Sequence, residues 1–284
     1  MDYNTFIVLT GLLSTGLLLG GFGALVSLKG ENLTADVAGH GVVSGVVGSQ
    51  GLVALLGAPW LAVPLLWACG FASSALTLGF IFWARARGYS VGAGQALAIA
   101  AAYGASLVLL SVVQGYGAFS TKGLTTLLLG DAATLTLARI VPSLLALIVG
   151  ILVFLVLRRG LLNWVLDPQS AVLHGRHRVI NLIWIVATVA VVLTCLPALG
   201  LTLLVGGLTL PALIVRPWVQ GFTGLVIGSA LVGGILSVAA GWLSAGVLPV
   251  PTGALVVVGL GVGWLTSFFA ARALRVLRVR RAAA

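Results

Sequence analysis

Apolar residues run through this chain in long, nearly unbroken blocks. They do not alternate as in strands or form one-sided helical stripes. The blocks lie at about 4–28, 34–57, 60–84, 91–114, 133–157, 179–196, 198–215, 218–244 and 253–273. A helix needs about 20 consecutive apolar residues to cross the hydrocarbon core of a bilayer. The pattern therefore predicts an all-α, polytopic helical membrane protein of eight or nine transmembrane helices in one transmembrane domain, 1–284. The sixth and seventh blocks are short and meet at Pro197-Ala198, so one of them is a candidate partial or re-entrant helix. No long polar stretch interrupts the pattern, which predicts no separate soluble domain. The first block has no positive residue before it and no A-x-A site after a short core, so it is expected to stay as a span.

Composition excludes the alternatives. Charged residues are 7% of the 284 and hydrophobic residues 60%. Too few polar side chains exist to cover a water-soluble globule, and so apolar a chain does not stay disordered. The net charge of +10 is no nucleic-acid signal, because such binding needs a basic patch in water and here the arginines sit at the ends of apolar blocks. Cys69 and Cys195 both lie inside apolar blocks, without a CxxC spacing, and read as small hydrophobes. No GxxxxGK[ST] loop occurs, so the chain carries no nucleotide-binding loop of its own. The 39 glycines point to close helix–helix approach, as at Gly41-xxx-Gly45, Gly224-xxx-Gly228 and Gly259-xxx-Gly263.

Basic residues give an orientation. Lys29, Arg85, Arg87, Arg158, Arg159, Arg176, Arg178, Arg216 and the five C-terminal arginines from Arg272 onward all fall on one set of alternate connections. By the positive-inside rule that side is cytoplasmic, with the N-terminus outside and the C-terminus inside. Lys122 stands alone on the other side, and Arg139 is expected to snorkel to the outer interface. Trp60, Trp83, Trp218 and Trp242 lie near block ends, where interfacial anchors belong.

Two connections are long: an outer one at about 115–132 and an inner one at about 158–178. In the inner one, Asp167-Pro168 is a helix-start pair and Gly175 a stop, predicting a two-turn helix at about 168–174 on the cytoplasmic face. It reads either as a space-filling surface helix or as a docking helix. His174 and His177, among arginines, read as surface residues or partner contacts.

Acids are so few that each can be placed. Glu31 sits in the first cytoplasmic turn near Lys29, Asp131 is an N-cap at the outer start of the fifth block, and Asp167 caps the inner helix. Asp36 remains, at the start of the second block, with His40 four residues on. That spacing puts both on one helical face. An intramembrane carboxylate costs on the order of 3 kcal/mol and needs a partner or a hydrated path. A carboxylate oxygen with an imidazole nitrogen suits Zn²⁺ or Mn²⁺, but one pair supplies only half of a four-ligand shell. A two-fold dimer would bring two pairs together. Spacing alone leaves open whether this is a metal pair or only a hydrogen-bonded pair.

These residues resemble those of a known family, the membrane permease subunits of ABC importers for zinc, manganese or iron (the metal ABC-3 type). Asp36-xxx-His40-xxx-Ser44-Gly45 is similar to that family's D-x-x-x-H motif on the second span. Leu129-Gly130-Asp131 is similar to its L-[FL]-G-D before the fifth span, and Asp167-Pro168-Gln169-Ser170-Ala171 through Gly175 to its cytoplasmic coupling segment. Gly200 to Arg216 resembles a further family run, with Pro211 and Ala212 matching and Val215 where Ala is usual. Gly39 and Gly41 stand where Ser or Ala is usual.

The resemblance implies a fold related to the cobalamin and siderophore importer permeases and a transport subunit that is not itself an enzyme. It implies a permease dimer, two cytosolic ATPase subunits and an extracytoplasmic metal-binding protein. Asp36 and His40 would be metal ligands on the path; no cofactor is implied beyond the transported divalent metal, Zn or Mn. Asp167, Pro168, Ala171 and Gly175 would form the ATPase contact, and Asp131 and Pro211 are structural or outer-gate candidates. A siderophore or haem permease, expected to lack the Asp–His pair, and a secondary ion transporter, expected to show inverted repeats, are the alternatives.

Overall fold

The structure is a computed structural model, and it describes residues 3–115, 136–166, 177–246 and 250–282. Nine α-helices occur among the described residues: α1 (Tyr3–Lys29), α2 (Asn32–Leu56), α3 (Ala62–Ala86), α4 (Val91–Gly115), α5 (Leu137–Leu166), α6 (His177–Leu199), α7 (Leu201–Val215), α8 (Phe222–Gly246) and α9 (Thr252–Ala282). A short 3-10 turn, Pro59–Leu61, precedes α3. Each expected block is a helix, because in hydrocarbon only a helix satisfies all its backbone groups within one segment. The fold is that of an all-α polytopic membrane protein. Seven helices are long and apolar enough to cross a membrane, and the apolar parts of α6 and α7 are shorter, at Leu182–Leu196 and Leu204–Val215. Gly200, at φ +75, separates those two helices. Trp60, Trp83, Trp218 and Trp242 are all exposed near helix ends.

The chain divides into two compact bundles. The first holds 1–30, 132–166 and 206–284, hence α1, α5, most of α7, α8 and α9. Here α1 runs antiparallel to α8. A methyl group added at Gly16 would collide with the Gly233 backbone, and one at Gly20 with the Ser229 carbonyl. At these positions the two backbones touch directly, as small residues allow in membranes. α5 lies parallel to α1, with Ser14 Oγ 3.1 Å from Ser143 Oγ and the Lys29 ammonium 4.2 Å from the centroid of the Trp164 ring. Trp218 Nε1 donates to Ser267 Oγ at 2.7 Å, and that hydroxyl donates to the Ile214 carbonyl at 2.7 Å, tying α7 to α9. The other face of α5 leaves Leu145, Ile148, Leu152, Leu155 and Val156 exposed, as lipid-facing residues should be.

The second bundle holds 31–131 and 167–205, with α2 packed against α3, α4 and α6. The core lies on α2: Val37, Ala38, Val42 and Val47 have no exposed surface. Gly45 meets the Cys69 carbonyl of α3, and Gly41 meets Ser74. Gly39 packs on Leu201. Not every predicted close approach is seen among the described residues. There Gly259 has no neighbour within 4 Å, Gly263 meets the side chains of Ile214 and Leu236, and Gly224 meets Val219 of its own preceding loop.

Candidate functional site

Asp36 and His40 occupy the second turn of α2 and the turn after it, on one face of the helix. His40 Nε2 lies 3.6 Å from Asp36 Oδ1. That is longer than a hydrogen bond. Bonds of about 2.0–2.2 Å from one metal ion to each atom would span this gap at an angle of roughly 120°, close to the tetrahedral value. Their side chains keep 25% and 16% of their exposure, so the pair lies half-buried and reachable.

The turn that carries them is held from two sides. Ser74 Oγ of α3 donates to the Ala38 carbonyl at 3.1 Å. Ser44 Oγ, one turn beyond His40, donates to the His40 carbonyl at 3.0 Å and to the Ala102 carbonyl of α4 at 2.8 Å. Gln95 Nε2 of α4 donates to Thr34 Oγ1 at 3.1 Å, before the site. Trp184 Nε1 of α6 donates to Glu31 Oε2 at 2.9 Å, at the start of α2. Tyr103 of α4 stands edge-on to the His40 ring, with centroids 5.6 Å apart and planes at 84°. Tyr103 has no motif around it; its neighbours are Ala101, Ala102 and Gly104, and only the packing of α4 on α2 places it beside His40.

Among the described residues no group of three or more His, Cys, Asp and Glu comes together. The pair thus offers two ligands. It sits early in the Leu33–Leu56 apolar stretch, with Asp36 three residues from its start, about 5 Å along the axis. Two open clefts among the described residues of the first bundle, of about 300 Å³ around Arg158 and Gly221–Gly224 and about 470 Å³ around Trp218 and Ser267, include neither residue.

The other sequence candidates divide. Pro211 is buried inside α7, where it removes one i→i−4 hydrogen bond. Asp131, Asp167, Pro168, Ala171, Gly175 and His174 lie outside the described residues, as do nearly all of the outer connection and the predicted helix at 168–174. Arg139 lies in the first turn of α5 and His177 begins α6.

Known proteins resemble this chain in sequence and in fold. The chain is 28% identical to the manganese transport system membrane protein MntC of Bacillus subtilis over 290 aligned positions, which cover 98% of this chain and 65% of that protein. It therefore spans a little under two thirds of that relative's length. It is 27% identical to the zinc transport system membrane protein TroC of Treponema pallidum, over 91% of this chain and 86% of that one. In fold it matches PsaBC from Streptococcus pneumoniae, solved in complex with Fab, with a TM-score of 0.84 at 18% identity, covering 99% of this chain and 96% of that one. The model of the ABC 3 transport family matches residues 1–271, nearly the whole sequence, and the chain belongs to that family.

Proposed function

We propose that this chain is the membrane-spanning subunit of an ATP-driven importer that brings a divalent transition metal, zinc or manganese, into the cytoplasm by alternating access. The Asp36–His40 pair carries the reading: an acid and an imidazole, half-buried in a span, at a spacing one metal ion can bridge. A bare divalent cation meets a desolvation cost of tens of kcal/mol in hydrocarbon, and Asp36 supplies the carboxylate that offsets it. The relatives named for manganese and zinc support the choice of cargo. Two copies of the chain, paired about a two-fold axis, would complete an Asp₂His₂ shell.

In this reading the two bundles together make one permease domain, and α6 and α7 complete a nine-crossing topology that keeps Arg216 on the cytoplasmic side. The N-terminus is outside and the C-terminus in the cytoplasm of a bacterial cell. Two cytosolic ATPase subunits dock on the segment of Asp167, Pro168, Ala171 and Gly175 and hydrolyse the ATP. An extracytoplasmic binding protein delivers the metal on the outer side, where Asp131 and Pro211 are structural or outer-gate positions. The test is uptake of radioactive zinc and manganese in cells that hold the intact ATPase. Asp36→Ala and His40→Ala should each lower uptake at least tenfold with the protein still in the membrane. Unchanged uptake in both variants would sink the assignment.

A further inference from the structure

One end of the first bundle is rich in basic residues. α1 ends there at Lys29, Arg158 and Arg159 lie about two turns before the end of α5, and Arg216 follows α7. α9 ends there with Arg272, Arg275, Arg278, Arg280 and Arg281. The described residues of this bundle contain no Asp or Glu.

α9 is the distinctive part. It has 31 residues, about 46 Å at 1.5 Å per residue. Its first twenty, Thr252 to Ala271, carry no charge, which matches the roughly 30 Å of a hydrocarbon core. Arg272 follows where that core should end. From Arg272 the helix runs on for 11 residues, about 16 Å, where the headgroup layer is only about 5–8 Å thick on each side.

This end of α9 is exposed among the described residues of its bundle. Arg272, Leu274, Arg275, Val276 and Leu277 are all exposed, as is Phe269 before them. At 100° per residue the five arginines fall on every side of the helix, with leucines and valines between them. A helix end docked on one protein surface would segregate charge from apolar residues. Interleaving all round suits a surrounding that is itself layered, with acyl chains below and phosphates above. Arginine can rest its stem on the former and direct its guanidinium to the latter.

We propose that the C-terminal end of α9 binds the headgroups of anionic phospholipids, so that acidic lipid is held around this end of the first bundle. Near a membrane surface each Lys or Arg contributes about 1 kcal/mol of attraction to acidic lipid, or roughly fivefold in affinity. This stands apart from the Asp36–His40 reading and survives its failure.

The experiment titrates the full chain, purified in detergent, with phosphatidylglycerol or phosphatidylcholine and follows thermal unfolding. Phosphatidylglycerol should protect at much lower concentration than phosphatidylcholine, and salt should erode the difference. The double variant Arg272→Gln/Arg275→Gln should need at least tenfold more phosphatidylglycerol, while Arg272→Lys/Arg275→Lys should stay within about threefold of the parent. Inorganic phosphate should not displace the lipid. Equal response of the parent to both lipids overturns the proposal, as does an unchanged response in the Gln variant. Displacement by phosphate, or loss of a cytosolic partner from the Gln variant with its lipid response intact, also overturns it. Should the Gln variant fail to fold, the lipid carried through purification of the parent decides: enrichment of anionic species over the bulk membrane supports the proposal, and the bulk ratio refutes it.

Discussion

His40 has two unlike ring nitrogens. Nε2 faces Asp36, whereas Nδ1 is buried with no hydrogen-bond partner among the described residues. A histidine that holds a resident metal usually donates its second nitrogen to a carbonyl or carboxylate. A metal on Nε2 would put the proton on Nδ1, and a buried unmet donor costs about 1–3 kcal/mol. Such a ligand binds less tightly than a structural one, which suits cargo that must be released. No acceptor fixes the His40 ring among the described residues, and the Tyr103 ring stands at its side. Tyr103→Phe keeps the ring edge and should leave the half-saturating metal concentration for uptake within about twofold, while Tyr103→Ala should raise it by about threefold or more. Equal values for both variants would remove Tyr103 from the site. The Asp–His pair was legible in the sequence because an i, i+4 spacing fixes a shared face. Tyr103 was not, because the register of α4 against α2 depends on contacts sixty residues apart.

At the scale of elements, glycine sets how closely the helices pack. Gly20 faces the Ser229 carbonyl, and Gly79 has nothing within 4 Å. Gly20→Val should therefore lower the melting temperature in detergent, by an amount equivalent to about 1–3 kcal/mol of overpacking. Gly79→Ala should leave it unchanged or raise it slightly. A similar loss at both sites would mean that helix propensity, not contact, governs stability here. The spans themselves were readable, since continuous apolarity needs no partner to be recognised. Which glycines mattered was only partly readable. Gly41 and Gly45 do meet α3, but Gly259 meets nothing among the described residues, and the seam between α1 and α8 uses Gly16, Gly20 and Gly233, none of them in the expected set. A small-xxx-small spacing marks a smooth face without saying whether a neighbour covers it.

For the whole molecule, charge asymmetry predicts a topology. A reporter fused after Ala284 should be cytoplasmic, and a cysteine placed near Asp2 should react with a membrane-impermeant reagent from outside. The opposite pattern would invert the direction of transport assigned to the Asp36–His40 pair. This much follows from the sequence, because translocation responds to basic residues near the spans and not to packing. The grouping of helices into two bundles does not follow from it, since α1 and α8 are neighbours in space but separated by nearly two hundred residues. Their bare-backbone seam has a thermal consequence. Parting α1 from α8 within a bilayer would exchange helix contact for acyl-chain contact and wet almost no apolar surface. The large heat-capacity change that curves the stability of water-soluble domains comes from such wetting. The seam should therefore part with little heat-capacity change, and its strength should not fade on cooling as a water-driven interface does.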